Sequence, residues 1–196
     1  MSREEIKAEA RERLAECHWQ VVGVILLAAL IQGAASVVGG LLGLFGLAVP
    51  ILIAPLTVGL DLYAIKQMRG EGEAGDLFKP FSSGYINSVL VMFLVSLFTF
   101  LWALLLIVPG IIKGYEYWCV PYILADEPEI SYKEAFARSR EMTMGHKMDV
   151  FMLQLSFLGW DVLGALTFGI LTILYVAPYK QLSYAEMYEK LSEGVD

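Results

Sequence analysis

Long apolar stretches alternate with short charged segments along this chain, and the first apolar stretch is the most informative. No Asp, Glu, Lys or Arg lies between Glu16 and Asp61, and most residues there are Val, Leu, Ile, Ala or Gly. Because one membrane-spanning helix needs about 20 consecutive apolar residues, this stretch is long enough to cross a bilayer twice, with a turn near Gly39 and Gly40. The pattern therefore predicts a multi-pass integral membrane protein.

Three hairpins account for the apolar sequence and predict an all-α polytopic transmembrane helical bundle with six spans. Pro50 and Pro55 fall inside the second span, where neighbouring helices can satisfy the carbonyl groups that proline frees. The segment of residues 111–125 is short for a span and includes two charged side chains, so it either crosses the membrane or is re-entrant. The segment of residues 150–179 is too long for one span, and we divide it near Phe168–Gly169. The six predicted spans are Val21–Val38, Leu41 to about Ile65, Val89–Val108, residues 111–125 and the two parts of residues 150–179.

Two amphipathic helices are predicted at the membrane surface. In Ser2–Cys17, apolar residues recur at helical spacing opposite a charged face, and Glu5 completes a capping box at its start. Ser131–Met144 begins with a second capping box, which Glu134 completes, and Gly145 marks its end.

Basic residues orient the single integral membrane domain that we expect over residues 1–196. Lys and Arg concentrate in the amphipathic N-terminal helix at residues 1–19, in linkers at residues 66–84 and 126–149, and in the C-terminal tail. The three predicted turns contain none. Since basic loops remain in the cytoplasm, we expect a cell-membrane protein with both termini and both linkers on the cytoplasmic side. Lys113, just past an outer turn, is the exception.

Composition and charge limit the partners of the chain. It is 57% hydrophobic and 18% charged, which leaves no room for a separate soluble domain. Its net charge of −7 argues against nucleic acid and anionic lipid as main partners, because both bind preferentially to basic patches on a protein. We expect the lipid bilayer as the main partner, with other membrane proteins or a second copy of the chain besides. A GxxxG spacing at Gly39 and Gly43 permits close helix contact, and in a short hairpin it favours intramolecular packing over dimerisation.

Lys113 and Glu116 are the leading candidate site, because residues three apart on a helix can pair. Ionisable residues at membrane depth are costly and indicate an ion path or a lipid-headgroup site. The alternative is that Lys113 extends to the outer interface and Glu116 only neutralises it. Asp161 either faces the same interior and completes an intramembrane Lys, Glu, Asp cluster, or lies in a water-filled crevice.

An aromatic group accompanies this pair. Such rings either line a pocket or belong to the belt that aromatic residues form at membrane interfaces, and the belt is favoured. The members are Tyr115, Tyr117, Trp118 and Tyr122.

Catalytic, metal and cofactor chemistry has little support in the sequence. Cys17 and Cys119 are expected to be free thiols. His18 and His146 have no second ligand at metal spacing, and no nucleophile elbow, phosphate loop or HExxH motif occurs. We therefore expect no catalytic residue, metal or cofactor, and a non-enzymatic role in envelope homeostasis or as a partner or regulator of other membrane components. A small transporter or channel that uses the charged cluster is the alternative.

Three motifs in the second half of the chain carry a family resemblance. They are PGIIK at Pro109–Lys113, PYILAD at Pro121–Asp126 and LSFLGW at Leu155–Trp160. With RGE and DLF inside Arg69–Phe78, they make about two-thirds of the chain resemble a bacterial family known as the domain of unknown function 975. The resemblance implies a multi-pass bacterial membrane protein and no particular activity. Glu116 and Asp161 depart from the family pattern, so the resemblance does not support a shared mechanism built on them.

Overall fold

Helices make up the regular structure of the computed structural model, which describes residues 3–41 and 53–194. The predicted all-α class is confirmed. The elements are α1 (Arg3–Leu41), α2 (Ala54–Arg69), a 3₁₀ turn (Ala74–Phe78), α3 (Lys79–Ser82), α4 (Tyr85–Leu105), α5 (Ile107–Glu116), α6 (Val120–Asp126), α7 (Tyr132–Thr143), α8 (Lys147–Leu155), α9 (Leu158–Leu166), a π-helical stretch (Thr172–Val176) and α10 (Ala177–Glu193).

Three helical stretches of the described residues are long and apolar enough to cross a membrane. They are Arg3–Val38 within α1, Tyr85–Leu105, which is α4, and Lys147–Leu166, which covers α8 and α9. Large apolar side chains on all three are exposed, among them Leu30, Phe100 and Leu166. Contiguous apolar surface of this kind is typical of contact with lipid or with another protein. Three of the six predicted spans thus coincide with candidate spans.

Each candidate span is followed by a segment that folds back beside it. The C-terminal end of α2 reaches the first half of α1, where the Arg13 side chain donates a hydrogen bond to a backbone carbonyl of α2. α5 packs closely on α4, since a Cβ at Gly110 would lie 2.6 Å from the Ala103 Cα atom. The π-helical stretch returns along α9, since a Cβ at Gly164 would lie 2.0 Å from the Thr172 hydroxyl oxygen. These returning segments lie outside the three candidate spans, so the six-span arrangement stays a prediction.

The first hairpin differs from its prediction at the turn and in the second span. α1 passes through Gly39–Gly40 and continues to Leu41, because a glycine costs a helix interior only about 1 kcal/mol. α2 begins at Ala54 with Pro55 in its first turn, and most of its side chains are buried inside the protein. Apolar composition alone does not distinguish a helix that faces lipid from one that faces protein. The positions Ser2, Gly43 and Pro50, which entered the predictions, lie outside the described residues.

The second hairpin turns earlier than predicted. α4 ends at Leu105, and Leu106 has an extended backbone (φ −156°, ψ 132°). Pro109 lies in the first turn of α5, where its missing N–H costs no helical hydrogen bond. Residues 111–125 are divided between α5 and α6 by a turn and do not form one continuous helix.

Both linkers are folded. α2 continues to Arg69, and the 3₁₀ turn and α3 follow it, so the first linker is largely helical. In the second linker, the Ser131 hydroxyl accepts a hydrogen bond from the Glu134 N–H at 3.3 Å, and Gly145 has a left-handed backbone (φ 85°). The predicted start and end of α7 are thereby confirmed. Further along, Phe168 also has a positive φ (52°), at the predicted division of residues 150–179.

The two ends of the chain pack against each other. α10 lies along α1 and α2, and the Tyr179 hydroxyl donates a hydrogen bond to the Lys7 carbonyl oxygen at 3.2 Å. Lys190 near the C-terminus forms an ion pair with Glu9 at 2.9 Å. The N-terminal part of α1 and the C-terminal helix therefore lie on the same side of the bundle.

Candidate functional site

Glu116, the last residue of α5, lies at the centre of a cluster of cations. Lys113 Nζ lies 2.8 Å from Glu116 Oε1, so the structure places the two residues of the predicted pair in direct contact. Arg140 of α7 contacts the same oxygen through its Nε, and Lys147 at the start of α8 contacts Oε2 at 3.1 Å. One carboxylate therefore joins three helices, and the cluster carries a surplus of positive charge.

The Glu116 carboxylate is buried, whereas its partners extend toward the surface. Its side chain is 6% exposed, against 58% for Arg140. Burial by itself would raise the pKa of Glu116, but the hydrogen bonds from the three cations outweigh it and lower the pKa to about 2. Glu116 lies outside the three candidate spans and stays ionised at any physiological pH.

Asp161 does not join this cluster. Its carboxylate oxygens lie 2.9 and 3.1 Å from Lys180 Nζ, so its ion pair links α9 to α10. The Asp161 side chain is partly exposed, so it does not lie in a shared interior site with Lys113 and Glu116. Of the three predicted site residues, the structure brings together Lys113 and Glu116 only.

The aromatic group lies mostly inside the protein. Tyr117 and Tyr122 are buried, and the Tyr122 ring stacks on Tyr188 of α10. Tyr115 and Trp118 instead line an open cavity of about 440 Å³. Part of the group therefore lines a pocket, which was the less favoured alternative, and the buried rings pack in the core.

Two polar contacts between distant helices were not predicted from the sequence. Asp61 is 6% exposed in the middle of α2 and accepts a hydrogen bond of 2.7 Å from the Gln181 side chain. Asp126 accepts two hydrogen bonds of 3.1 Å from Arg69 and one of 3.0 Å from the Tyr188 hydroxyl. The partners are far apart in sequence, so no local spacing could have revealed them.

The histidines and cysteines form no site. Cys17 and Cys119 are free, as predicted, and both are buried. The His18 ring makes an edge contact with Trp19, and His146 Nδ1 lies 2.8 Å from an oxygen of Asp149. Within residues 3–41 and 53–194, no group of three or more His, Cys, Asp or Glu side chains could hold a metal ion.

The comparisons with known proteins bear on the second half of the chain. Residues 104–194 match the family model described as protein of unknown function (DUF975). No curated protein and no solved structure shows significant similarity to the chain. The matched segment contains the PGIIK, PYILAD and LSFLGW motifs and the whole Glu116 cluster, whereas the residues of Arg69–Phe78 precede it. The predicted resemblance to this family is therefore confirmed over residues 104–194.

Proposed function

We propose that the chain is a non-enzymatic, multi-pass protein of the cell membrane that acts through contacts with other membrane components. A role as partner or regulator in envelope homeostasis fits this description. The observation that carries the proposal is the contrast between exposed apolar side chains and buried charged ones. The candidate spans expose large apolar side chains, whereas buried carboxylates such as Asp61, Asp76 and Glu116 are hydrogen-bonded within the protein.

This distribution of apolar and polar side chains favours a role through contacts with other molecules over a role in catalysis. Buried polar groups that are already paired stabilise a fold and are not free to bind a substrate. Exposed apolar helices gain most from lipid or from other apolar helices. The pairing of Lys190 with Glu9 supports an even number of crossings between these two residues, because it places them on the same side of the bundle.

Cysteine labelling tests the topology. We expect single cysteines at Gly40 and Gly169 to react with a membrane-impermeant maleimide outside intact cells, and one at Ala74 to react only after permeabilisation. The reason is that basic segments remain in the cytoplasm. The chain has two cysteines, Cys17 and Cys119, so replacement of both by alanine gives a background without thiols. External reaction at Ala74 would reverse the orientation, and equal reaction at all three positions would contradict a multi-pass protein.

In-cell photo-cross-linking tests the proposed role. A photoreactive residue at Phe100, on the exposed face of α4, is expected to give discrete adducts with one or a few membrane proteins. The same residue at Lys133, on the exposed side of α7, serves as the matched control and is expected to give none of these adducts. Adducts with lipid alone at Phe100 would argue against a protein partner.

A flux measurement separates this proposal from the alternative of a small transporter or channel. The buried Asp61 favours that alternative, because carboxylates within membrane helices often take part in proton relays. We expect liposomes that contain the purified protein and a pH-sensitive dye to show the proton leak of empty liposomes. Proton flux that Asp61→Asn abolishes, while the exposed control Asp149→Asn retains it, would replace our proposal with transport.

A further inference from the structure

The Glu116 cluster, which consists of Glu116, Lys113, Arg140 and Lys147, holds more positive charge than its single carboxylate can neutralise. Three cations surround one carboxylate, and two of them reach the surface: the Arg140 side chain is 58% exposed and that of Lys147 is partly exposed, at 34%. Arg140 reaches Glu116 through its Nε only, whereas a guanidinium has five N–H donors. The cluster therefore retains hydrogen-bonding capacity and charge for a second anion.

An apolar groove lies on the same helix seam as this cluster. The groove is the open cavity of about 440 Å³, and it is lined by Thr99 and Ala103 of α4 as well as by Gly110 and Gly114 of α5. A Cβ at Gly114 would find only one atom within 4 Å, at 3.9 Å, so this glycine leaves the groove open. Gln154 of α8 closes the other side, with its Oε1 3.3 Å from the Tyr115 hydroxyl.

The spacing on α8 connects the groove with the cations. Lys147 and Gln154 are seven residues apart, which places them on one face of the helix and about 10 Å apart along it. Lys147 contacts the C-terminal residue of α5, and Gln154 contacts Tyr115 one residue before it. The α5–α8 seam thus has a cationic end and an apolar, open groove beside it.

We propose that this seam binds one anionic glycerophospholipid, with its phosphate at Arg140 and Lys147 and an acyl chain in the groove. Basic pockets between helices at the membrane surface recognise anionic headgroups in this way, and the groove matches the apolar part of the same molecule. The inference rests on the membrane location proposed above. The site is local, since the chain as a whole carries a net charge of −7.

Native mass spectrometry of the purified full chain in detergent tests the site. With equal amounts of phosphatidylglycerol and phosphatidylcholine that carry the same acyl chains, we expect one phosphatidylglycerol to be retained preferentially. Arg140→Gln is expected to weaken this binding about fivefold, because a basic residue near a membrane surface contributes about 1 kcal/mol. Lys133→Gln removes one charge from the same helix away from the cluster and is expected to leave binding unchanged.

Two further variants separate an anion site from a purely structural cluster. Glu116→Gln removes the competing carboxylate, so we expect tighter phosphatidylglycerol binding, whereas loss of binding in a folded variant would overturn the proposal. Gly114→Leu fills the groove without a change of charge, and we expect weaker binding of phosphatidylglycerol. Unchanged binding would overturn the acyl-chain part.

Two controls identify the source of the phosphate and the cause of any failure. Displacement of phosphatidylglycerol by millimolar inorganic phosphate would overturn the lipid assignment in favour of a soluble anion, and we expect none. Alkaline carbonate extraction of cell membranes reports on location separately. Release of the protein by carbonate would contradict the proposed membrane location, whereas retention combined with equal binding of the two lipids would contradict the lipid site alone.

Discussion

Replacement of Glu116 by alanine is expected to lower the free energy of unfolding by about 3 kcal/mol, because it leaves three neighbouring cations without their common carboxylate. Removal of any one cation is expected to cost less, since Glu116 keeps the other two. Lys113→Ala, Arg140→Ala and Lys147→Ala should therefore each lie between the wild type and Glu116→Ala. Thermal unfolding of the full chain in detergent gives the order of stability of these variants. A thiol-reactive dye follows unfolding by detecting exposure of the two buried cysteines.

An exposed carboxylate provides the matched control for this prediction. Asp149 pairs with His146, and both side chains are more than 40% exposed, so Asp149→Ala is expected to change stability by well under 1 kcal/mol. The double variant of Lys113 and Glu116 should be less destabilised than the sum of the two single changes. If Glu116→Ala costs no more than Asp149→Ala, the cluster does not stabilise the junction of the three helices.

Gly59→Ala is expected to destabilise the protein by about 2 kcal/mol, because there is no room for the added methyl group. A Cβ at this position of α2 would lie 2.1 Å from the Leu77 carbonyl oxygen in the 3₁₀ turn. That atom belongs to the backbone, so the clash is relieved only if the turn moves away from α2. The same thermal unfolding measurement tests the prediction.

Gly23→Ala in α1 is the control, since a Cβ there meets no atom within 4 Å. Alanine has the higher helix propensity, and we expect this variant to be as stable as the wild type or more stable by about 0.5–1 kcal/mol. Equal stability of Gly59→Ala and Gly23→Ala would show that α2 and the 3₁₀ turn are not in close contact.

Local sequence signals predicted the helices whose limits depend on residues within the helix itself. α4 was found because its length and apolar composition fit a span, and α7 because Ser131 and Glu134 satisfy a cap within four residues. α2 shows where such reasoning stops. Most of its side chains are buried inside the protein, and Asp61 lies opposite Gln181 of α10. Neither fact can be read from the apolar composition of the segment.

Only the local part of the candidate site was predicted from the sequence. Lys113 and Glu116 are three residues apart on one helix, so their contact follows from helix geometry. Arg140 and Lys147 follow Glu116 by 24 and 31 residues and reach it only through the packing of α7 and α8. Asp161 shows the converse, since an acidic residue in an apolar segment gives no information about which cation it will meet.

The position of α10 against α1 sets the order in which the protein can be assembled. Ile6, Ala10 and Leu14 form a buried apolar stripe on the first helix, and α10 is a major part of what covers that side. During synthesis the first helix is complete 152 residues before α10 is, because α1 ends at Leu41 and α10 ends at Glu193. The stripe must therefore be shielded by lipid, by a chaperone or by other parts of the chain until α10 has been synthesised. Packing around the stripe is complete only when α10 is in place.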